Sequence, residues 1–299
     1  MRLKDDVIFI PSPHGMIRDG ATCKFLLAMR DGCVVESVVI PMKRYKSLCV
    51  SSQVGCAMGC RFCQTARMGF VRDLTAEEIV SQVSSARIHL KENVRNVVFM
   101  GMGEPLANLD NVLDAVRMLN DGRGANIPQT NIMISTMGHV PGLMRLAGFA
   151  KDIPPKGFSN LRIAVSINAP NDELRTRLMP RNTMWPMAEI KRALLAYPRS
   201  RKDTKFIIEY VLIAGVNDRP EHARELCGYL SGIPAEVNLI PFNPITDVSW
   251  TAPTVGAAEE FWRTVREAGM PCRTRWPKGV RAMAACGQLG VCGLVDRKK

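Results

Sequence analysis

Short apolar runs alternate with amphipathic stretches between about residue 46 and residue 268. This alternation is typical of repeated strand–helix units built around a parallel sheet. Because six such runs suit an incomplete barrel, we predict an α/β fold with a partial (β/α)6 barrel. The predicted barrel strands are Leu48–Ser51, Asn96–Met100, Asn131–Ser135, Leu161–Ile167, Phe206–Ile213 and Val237–Ile240.

Helices are expected between these strands. Thr75 followed by Glu78 has the spacing of a capping box, so a helix should begin there and run to about Leu90. Apolar residues recur at helical spacing in three later stretches, which we also predict as helices. These stretches are Met187–Tyr197, Arg219–Leu230 and Gly256–Ala268.

The first 45 residues follow a different pattern. Two runs, Lys24–Met29 and Cys33–Ile40, alternate in hydrophobicity on either side of Asp31-Gly32. An Asp-Gly pair between alternating runs is a strong signal for a β-hairpin. We therefore predict an N-terminal extension with a hairpin over residues 1–45 and a barrel domain over residues 46–299, with a frayed tail at 296–299.

The composition indicates a globular protein without a membrane segment. With 299 residues, 46% of them hydrophobic, the chain is long enough for one barrel-sized core. It contains no long apolar run and no charged-then-apolar leader, so we expect neither a membrane span nor a secretion signal, and a cytoplasmic location. The ten cysteines are then expected to be thiols, metal ligands or catalytic groups, because the cytosol keeps cysteines reduced.

The charge balance favours a polyanionic partner. Forty Lys and Arg residues against 28 Asp and Glu residues give a net charge of +12. An excess of this kind attracts nucleic acid, and the alternative is a basic enzyme without any polyanionic partner. The basic residues concentrate in three segments, Lys43–Lys46, Arg199–Lys202 and Arg273–Arg281.

Three closely spaced cysteines, Cys56, Cys60 and Cys63, are the strongest chemical signal. They supply one thiolate fewer than the four that a closed iron–sulfur site uses, which leaves one iron open. The amine and carboxylate of S-adenosylmethionine would fill that position, and radical chemistry is typical of this cofactor pair. The alternatives are a zinc loop that lacks its fourth ligand and three unrelated buried thiols. Zinc motifs normally have two ligand pairs, and the sequence contains no second Cys/His pair downstream.

The ends of the predicted strands carry further polar groups, and in parallel barrels these ends supply the catalytic residues. The run Gly101–Pro105 follows the second strand, where it is either a simple turn or a segment that lets Glu104 receive an ammonium group. Ser135, Ser166 and Asn168 would be able to bond the carboxylate and ribose of the same cofactor.

A separate candidate, Cys286, lies in the small-residue segment Ala284–Gly290 near the C-terminus. Arg281 and Lys278 are close in sequence and would favour its thiolate form, which is the nucleophile. A structural buried thiol is the alternative at such a position.

Six short strings of the sequence together resemble the radical S-adenosylmethionine RNA methyltransferases that modify adenine in 23S rRNA and tRNA. This family comprises the dual-specificity carbon-2 enzymes and their carbon-8 relatives. The resemblance runs from about Thr22 to Gly290, and its most specific strings are Cys49–Cys56 and Ala284–Leu289. The remaining strings are Phe62–Ala66, Gly101–Pro105, Ser135–Gly138 and Leu239–Pro244.

The resemblance implies a role for each matched position. Cys286 matches a cysteine that accepts a methyl group, Cys49 a cysteine that resolves a covalent RNA adduct, and Glu36 a general base. The ligands of a 4Fe–4S cluster would be Cys56, Cys60 and Cys63. The positions that match cofactor-binding residues are Gly103, Glu104, Ser135, Ser166, Ile167, Asn168 and Asn243.

The implied reaction needs both remote thiols, because carbon 2 of adenine is electrophilic and cannot attack S-adenosylmethionine directly. One cofactor molecule would methylate Cys286, and the 5′-deoxyadenosyl radical from a second would remove hydrogen from that methyl group. The resulting carbon radical would add to adenine. Cys49 would then attack the adduct sulfur, releasing the methylated base and a Cys49–Cys286 disulfide that must be reduced. The implied partners are rRNA or tRNA and a reductant such as flavodoxin or ferredoxin, with a monomeric enzyme and no membrane.

Three features depart from the family, and they concern the RNA target more than the chemistry. Only residues 1–21 precede Thr22, so we expect no accessory helical domain for RNA docking. Asn168 stands where histidine is usual, and Val280–Met283 stands where acidic residues are typical. The alternatives are a radical enzyme acting on a peptide or small metabolite and an iron–sulfur protein that binds RNA without turnover. Neither alternative needs Cys49 and Cys286 together.

Overall fold

A computed structural model describes residues 9–152, 157–198, 204–276 and 279–290. The strands are β1 (His14–Asp19), β2 (Thr22–Ala28), β3 (Val34–Pro41), β4 (Lys46–Cys49), β5 (Gln53–Gly55), β6 (Phe70–Asp73), β7 (Val94–Phe99), β8 (Ile132–Thr136), β9 (Arg162–Ser166), β10 (Phe206–Leu212), β11 (Ala235–Pro241) and β12 (Cys272–Thr274). The α-helices are α1 (Gln64–Arg67), α2 (Ala76–Ile88), α3 (Leu109–Asn120), α4 (Val140–Phe149), α5 (Asp172–Leu178), α6 (Met187–Ala196), α7 (Pro220–Leu230) and α8 (Val255–Glu267). Gln129–Asn131 and Pro180–Thr183 form 3-10 turns.

Ten strands form one sheet in the order β1-β2-β3-β4-β7-β8-β9-β10-β11-β12. Every neighbouring pair from β4 to β12 is parallel. Because β4 and β12 are not paired with each other among the described residues, the parallel part curves without closing. The predicted partial barrel is therefore confirmed. Strands β5 and β6 form a small antiparallel sheet of their own.

The N-terminal part of the sheet is antiparallel, as the sequence predicts. Strands β2 and β3 form the expected hairpin, with Leu26 opposite Glu36, and the unpredicted β1 adds a third strand. Strand β3 continues the sheet into the barrel by pairing Val38 with Cys49. The division at residue 45 stays a prediction, and the proposed tail at 296–299 lies outside the described residues.

The predicted elements occur with their ends shifted by at most two residues. The capping box at the start of α2 is present, because Thr75 Oγ1 accepts from the Glu78 N–H and Glu78 Oε2 accepts from the Thr75 N–H. Helices α6, α7 and α8 match the three other predicted helices. Helices α3, α4 and α5 were not predicted.

Alternation along the strands separates the core from the barrel interior. In β10, Ile208 and Tyr210 belong to the hydrophobic core, whereas Ile207 and Glu209 line an interior cavity. This follows from the two-residue period of a strand, which sends successive side chains to opposite faces. No helix among the described residues has both the length and the apolar character that crossing a membrane requires.

Candidate active site

A cavity near the carboxyl ends of the parallel strands brings most of the predicted cofactor residues together; we call it the cofactor cavity. The predicted residues that line it are Cys56, Cys60, Cys63, Gly103, Glu104, Ser135, Ser166, Asn168 and Asn243. The exception is Ile167, whose side chain is fully buried in the core. Its backbone N–H donates to the Glu209 carbonyl oxygen at 3.0 Å, so Ile167 shapes the strand end without facing the cavity.

The cysteine loop connects β5 to α1 and has a fixed path. At its start, Gly55 has a φ of +75° and lies so close to Gly69 that a Cβ atom would overlap the Gly69 carbonyl oxygen. Only glycine fits there, because both the backbone conformation and the space exclude a side chain. At its end, Cys63 is the residue just before α1, and the Gln64 N–H donates to the Gly287 carbonyl oxygen at 2.7 Å. The loop is therefore tied directly to the segment that contains Cys286.

The three loop thiols suit an iron–sulfur cluster. Burial raises the pKa of Cys56 to about 12 and also raises the pKa of Cys60 and Cys63, with neighbouring thiols adding to the effect for Cys56 and Cys60. Such thiols bind metal only as thiolates, and the metal displaces their protons. In the described residues no three His, Cys, Asp or Glu side chains are placed to hold a single ion. An iron–sulfur cluster differs from a single ion in that it offers each thiolate its own iron.

Glu104 is a buried carboxylate placed to meet a cation. Its Oε1 accepts from the Leu106 N–H at 3.0 Å and its Oε2 from the Met137 N–H at 2.8 Å. Burial nevertheless raises its pKa to about 7, so a ligand ammonium group would favour the ionised form. The preceding Gly103 has a φ of +102°, and a Cβ atom there would collide with Gln53. The backbone needs glycine at this position to bring Glu104 to the cavity.

Asn243, which lines the cofactor cavity, has a buried side-chain oxygen without a hydrogen-bond partner among the described residues. Its side chain is 4% exposed, and its Nδ2 donates to the Cys286 carbonyl oxygen at 3.0 Å. Its Oδ1 is buried and has no partner among the described residues. Because buried acceptors are normally satisfied, this atom fits a ligand that brings a donor, such as a ribose hydroxyl. The unpartnered oxygen of Asn243 is therefore a second reason, independent of the cysteines, why the cavity fits S-adenosylmethionine.

Asn168, which stands where histidine is usual in the proteins that the sequence resembles, also bonds the protein's own backbone. Its φ of +59° lies in the left-handed region, which asparagine tolerates better than most residues. Its Oδ1 accepts from the Val211 N–H at 2.9 Å, and its carbonyl oxygen accepts from Asn217 Nδ2 at 2.8 Å. The side chain lines the cofactor cavity while it joins β9 to β10.

A second cavity of about 390 Å³ adjoins the first and contains both remote cysteines; we call it the thiol cavity. Cys49, at the end of β4, lines the thiol cavity, and Cys286 lines both cavities. Burial raises the pKa of Cys49 to about 12, and the nearby Cys286 adds to this rise. Both sulfurs are free thiols in the structure. Two cysteines that are far apart in sequence thus line the same cavity.

Arg275 is a cation beside these thiols that the sequence analysis did not identify. The Arg281 side chain is exposed and Lys278 lies outside the described residues, whereas Arg275 lines the thiol cavity. The pKa of Arg275 is raised chiefly by Cys286, and further by Glu209 and Cys49. Its Nη1 lies 3.7 Å from Met100 Sδ.

Glu209 is a site residue that sequence reasoning missed. It lines both cavities, and its two carboxylate oxygens each accept from Asn238 Nδ2 at 3.0 Å. Burial raises its pKa, while Arg275 and Asn238 oppose the rise. The available signal was a single charged residue within the otherwise apolar strand Phe206–Leu212.

Glu36 lies in neither cavity. Its side chain is 1% exposed; Lys24 Nζ lies 3.4 Å from its Oε1, and the Gly290 N–H donates to its Oε2 at 2.7 Å. Nearby, Thr65 Oγ1 donates to the Leu289 carbonyl oxygen at 2.7 Å. In this arrangement Glu36 anchors the end of the Cys286 segment and does not reach the thiols.

Comparison with known proteins shows the family to which the chain belongs. Residues 50–227 match the model of the Radical SAM superfamily. A protein of Protochlamydia amoebophila named "Probable dual-specificity RNA methyltransferase RlmN 1" is 43% identical across 98% of this chain and 79% of its own length. A "Dual-specificity RNA methyltransferase RlmN" of Marinobacter nauticus is 44% identical across 91% of this chain and 73% of its own length. The chain belongs to the RlmN family of radical SAM enzymes.

A solved structure agrees with this membership. The crystal structure of a radical SAM methyltransferase from Sphaerobacter thermophilus superposes with a TM-score of 0.86 at 38% identity, over 94% of this chain and 81% of that one. The resemblance predicted from sequence is thus confirmed, and so is the enzyme class. As a member of the RlmN family, the chain uses S-adenosylmethionine and an iron–sulfur cluster. Cys49 and Cys286 lie outside the segment that matches the superfamily model.

Proposed function

We propose that this RlmN-family enzyme methylates carbon 2 of adenine in rRNA or tRNA through a methylated cysteine. The observation that carries the proposal is the position of Cys286, which lines both the cofactor cavity and the thiol cavity that contains Cys49. A methyl carrier must meet the methyl donor on one side and a base and a resolving thiol on the other. The names of the relatives support RNA as the substrate.

The residues of the cofactor cavity have matching roles in this proposal. Cys56, Cys60 and Cys63 hold a 4Fe–4S cluster, and Glu104 binds the amino group of S-adenosylmethionine. Ser135, Ser166, Asn168 and Asn243 bond its carboxylate and ribose. When bound, these groups supply the methyl group and the radical hydrogen abstraction that activates it.

The two remote thiols then act in turn. Asn243 holds the Cys286 carbonyl, so the sulfur stays where the two cavities meet, beside Arg275. Joining of the activated methyl carbon to adenine would leave RNA bound to Cys286 through one carbon, once the adduct has lost the carbon-2 proton and one electron, which the oxidised cluster would accept. The Cys49 thiolate attacks the Cys286 sulfur, and the bond between sulfur and carbon breaks. The carbon keeps the electron pair and takes up a proton to become a methyl group, while the two cysteines form a disulfide.

Two proposed steps need groups beyond the thiol pair. Glu36 takes the proton from carbon 2, and because Gly290 now occupies its Oε2, this role requires the Cys286 segment to shift. A reductant such as flavodoxin or ferredoxin returns the disulfide to thiols and supplies electrons to the cluster. The enzyme acts as a monomer.

The charge around the thiol cavity supports RNA binding. Two of the three basic segments flank the cavity, because Lys43 and Arg44 follow the lining residue Met42 and Arg273 is itself a lining residue. All three basic side chains are exposed, and exposed cations at a cavity rim favour phosphate contacts. The segment Arg199–Lys202 lies outside the described residues.

Mass spectrometry of nucleosides tests the proposal directly. Anaerobically reconstituted enzyme is incubated with S-adenosylmethionine, reductant, and either tRNA or 23S rRNA fragments, and the RNA is digested. We expect 2-methyladenosine from wild-type protein and from the control Cys227→Ala, whose thiol lies on α7 outside both cavities. RNA that binds but stays unmodified would support a binding protein without turnover, and RNA that neither binds nor reacts would support a peptide or metabolite substrate.

A further inference from the structure

Arg175, in α5, is an unusual buried cation. Its side chain is 0% exposed, although arginine is almost never fully buried unless it is paired. Within the part of the chain that the structure describes, its guanidinium forms no ion pair. Its contacts are instead to neutral oxygens, because it donates to the Ile167 carbonyl at 3.1 Å, to Asn182 Oδ1 at 2.6 Å, to the Ser166 carbonyl at 3.2 Å and to the Met137 carbonyl.

Three of these acceptors lie where β8 and β9 end. Ser166 lines the cofactor cavity, and Met137, whose carbonyl Arg175 binds, donates its N–H to Glu104 Oε2 at 2.8 Å. One guanidinium therefore contacts the strand end that carries Ser166 and the residue whose N–H binds the Glu104 carboxylate. A planar group with five donors in a rigid fork is suited to holding several carbonyls in one geometry.

Helix α5 and the 3-10 turn that follows it also contact the cysteine loop. Just after Arg175, the Leu178 carbonyl accepts from the Arg61 N–H at 3.0 Å, and Arg181 Nε donates to the Ala57 carbonyl at 3.3 Å. The segment that carries the buried charge is therefore hydrogen-bonded to the loop that holds the proposed cluster ligands.

We propose that Arg175 is a positioning residue of the cofactor site, whose fork fixes the ends of β8 and β9 and whose unpaired charge raises the reduction potential of the cluster. The proposal rests on the family's iron–sulfur cluster and not on the RNA substrate. Reduction adds negative charge to a cluster, and a buried cation favours the reduced state because the low dielectric of the interior strengthens the attraction.

Two substitutions separate the charge from the fork. Arg175→Gln removes both, whereas Arg175→Lys keeps a positive charge without the planar donor geometry. In reconstituted protein without RNA, we expect the Gln variant to show a more negative midpoint potential and roughly tenfold weaker binding of S-adenosylmethionine. The Lys variant should keep a potential near the wild-type value and lose cofactor affinity. Arg177→Gln, on the exposed side of the same helix, should match wild type in both measurements.

A third variant keeps the test decisive if Arg175→Gln does not fold. Asn182→Ala removes one acceptor of the fork and leaves the charge, so cofactor binding should weaken while the midpoint potential stays unchanged. A Gln variant with a wild-type potential overturns the electrostatic role, and unchanged cofactor affinity in both the Lys and Asn182→Ala variants overturns the positioning role. Because neither measurement uses RNA, a failure of methyl transfer would leave both results interpretable.

Discussion

Asn243 joins the two halves of the site, because its Nδ2 donates to the carbonyl oxygen of Cys286 at 3.0 Å. The other end of the same side chain, Oδ1, is buried without a partner among the described residues. One residue therefore fixes the backbone of the proposed methyl carrier and offers a free acceptor to the cofactor cavity. We therefore expect the position of the thiol to depend on whether the cofactor site is occupied.

We expect Asn243→Leu, which is close in size, to weaken binding of S-adenosylmethionine by about 1–2 kcal/mol, because the variant loses the acceptor and the anchor of Cys286. Isothermal titration of reconstituted protein with the cofactor measures the loss. Asn131→Leu is the matched control, since Asn131 Nδ2 donates to the Arg95 carbonyl away from both cavities. Equal affinity in wild type and Asn243→Leu would contradict the assignment of Asn243 to the cofactor.

Replacing Cys56, Cys60 and Cys63 together with Ala should abolish both iron incorporation and reductive cleavage of S-adenosylmethionine, because the cluster loses all of its protein ligands. Iron and sulfide assays with ultraviolet–visible spectra measure the first effect, and product chromatography measures the second. The double variant Cys33→Ala and Cys227→Ala, whose thiols line neither cavity, should retain full iron. A complete cluster in the triple variant would show that the ligands lie elsewhere.

Glu104 should make the cofactor-free protein less stable as pH rises. Its folded-state pKa of about 7 exceeds the ordinary value of 4.5, so between these values the folded state keeps a proton that the unfolded state loses. The stabilising contribution is fully present below the unfolded value and is lost as pH rises through the folded value, by about 3 kcal/mol in total. Denaturant unfolding at pH 5 and pH 8 should show this extra decline in wild type but not in Glu104→Gln.

The exposed Glu259→Gln control should retain the wild-type pH profile. If wild type and Glu104→Gln show the same change in unfolding free energy between the two pH values, Glu104 does not carry the raised pKa. Added S-adenosylmethionine should reduce the decline in wild-type protein with an intact cluster, because its ammonium group favours the carboxylate.

Affinity for RNA should fall steeply with salt, because Lys and Arg contacts to phosphate release condensed counterions. Gel-shift titrations with tRNA and 23S rRNA fragments at several salt concentrations give the slope of log affinity against log salt. Replacing Lys43 and Arg44 with Gln should make this slope shallower, whereas replacing Arg177 should not. A slope near zero would favour a small uncharged substrate.

The repeating pattern of the chain was sufficient to predict the barrel. Period-two and helical spacing directly encode which faces are buried, so β4 and β7 to β11 and the capped helix α2 were predicted within two residues. Strands β1, β5 and β12 carry no comparable signal. Strand β1 is largely exposed, and β5 and β12 are three residues long, so tertiary pairing decides their conformation.

The site was predictable only where it uses local motifs. The cysteine loop and the Gly103-Glu104 turn are encoded in a few adjacent residues, and the structure places them in one cavity. Arg175 has the sequence environment of an exposed helical arginine, and nothing nearby indicates that it is buried beneath two strand ends. The position of Arg275 near Cys286 likewise depends on how the chain after β12 folds back over the barrel.

The central claim is that Cys286 carries the methyl group and Cys49 releases it, and the most direct measurement is a search for a covalent protein–RNA adduct in Cys49→Ala. Denaturing electrophoresis of the reaction with labelled RNA, followed by mass spectrometry of the crosslinked peptide, detects it. We expect the Cys49→Ala variant to accumulate RNA bound at Cys286, and the Cys286→Ala variant to form no adduct while its cluster stays intact. A Cys49→Ala protein that methylates RNA at the wild-type rate without an adduct would contradict the account.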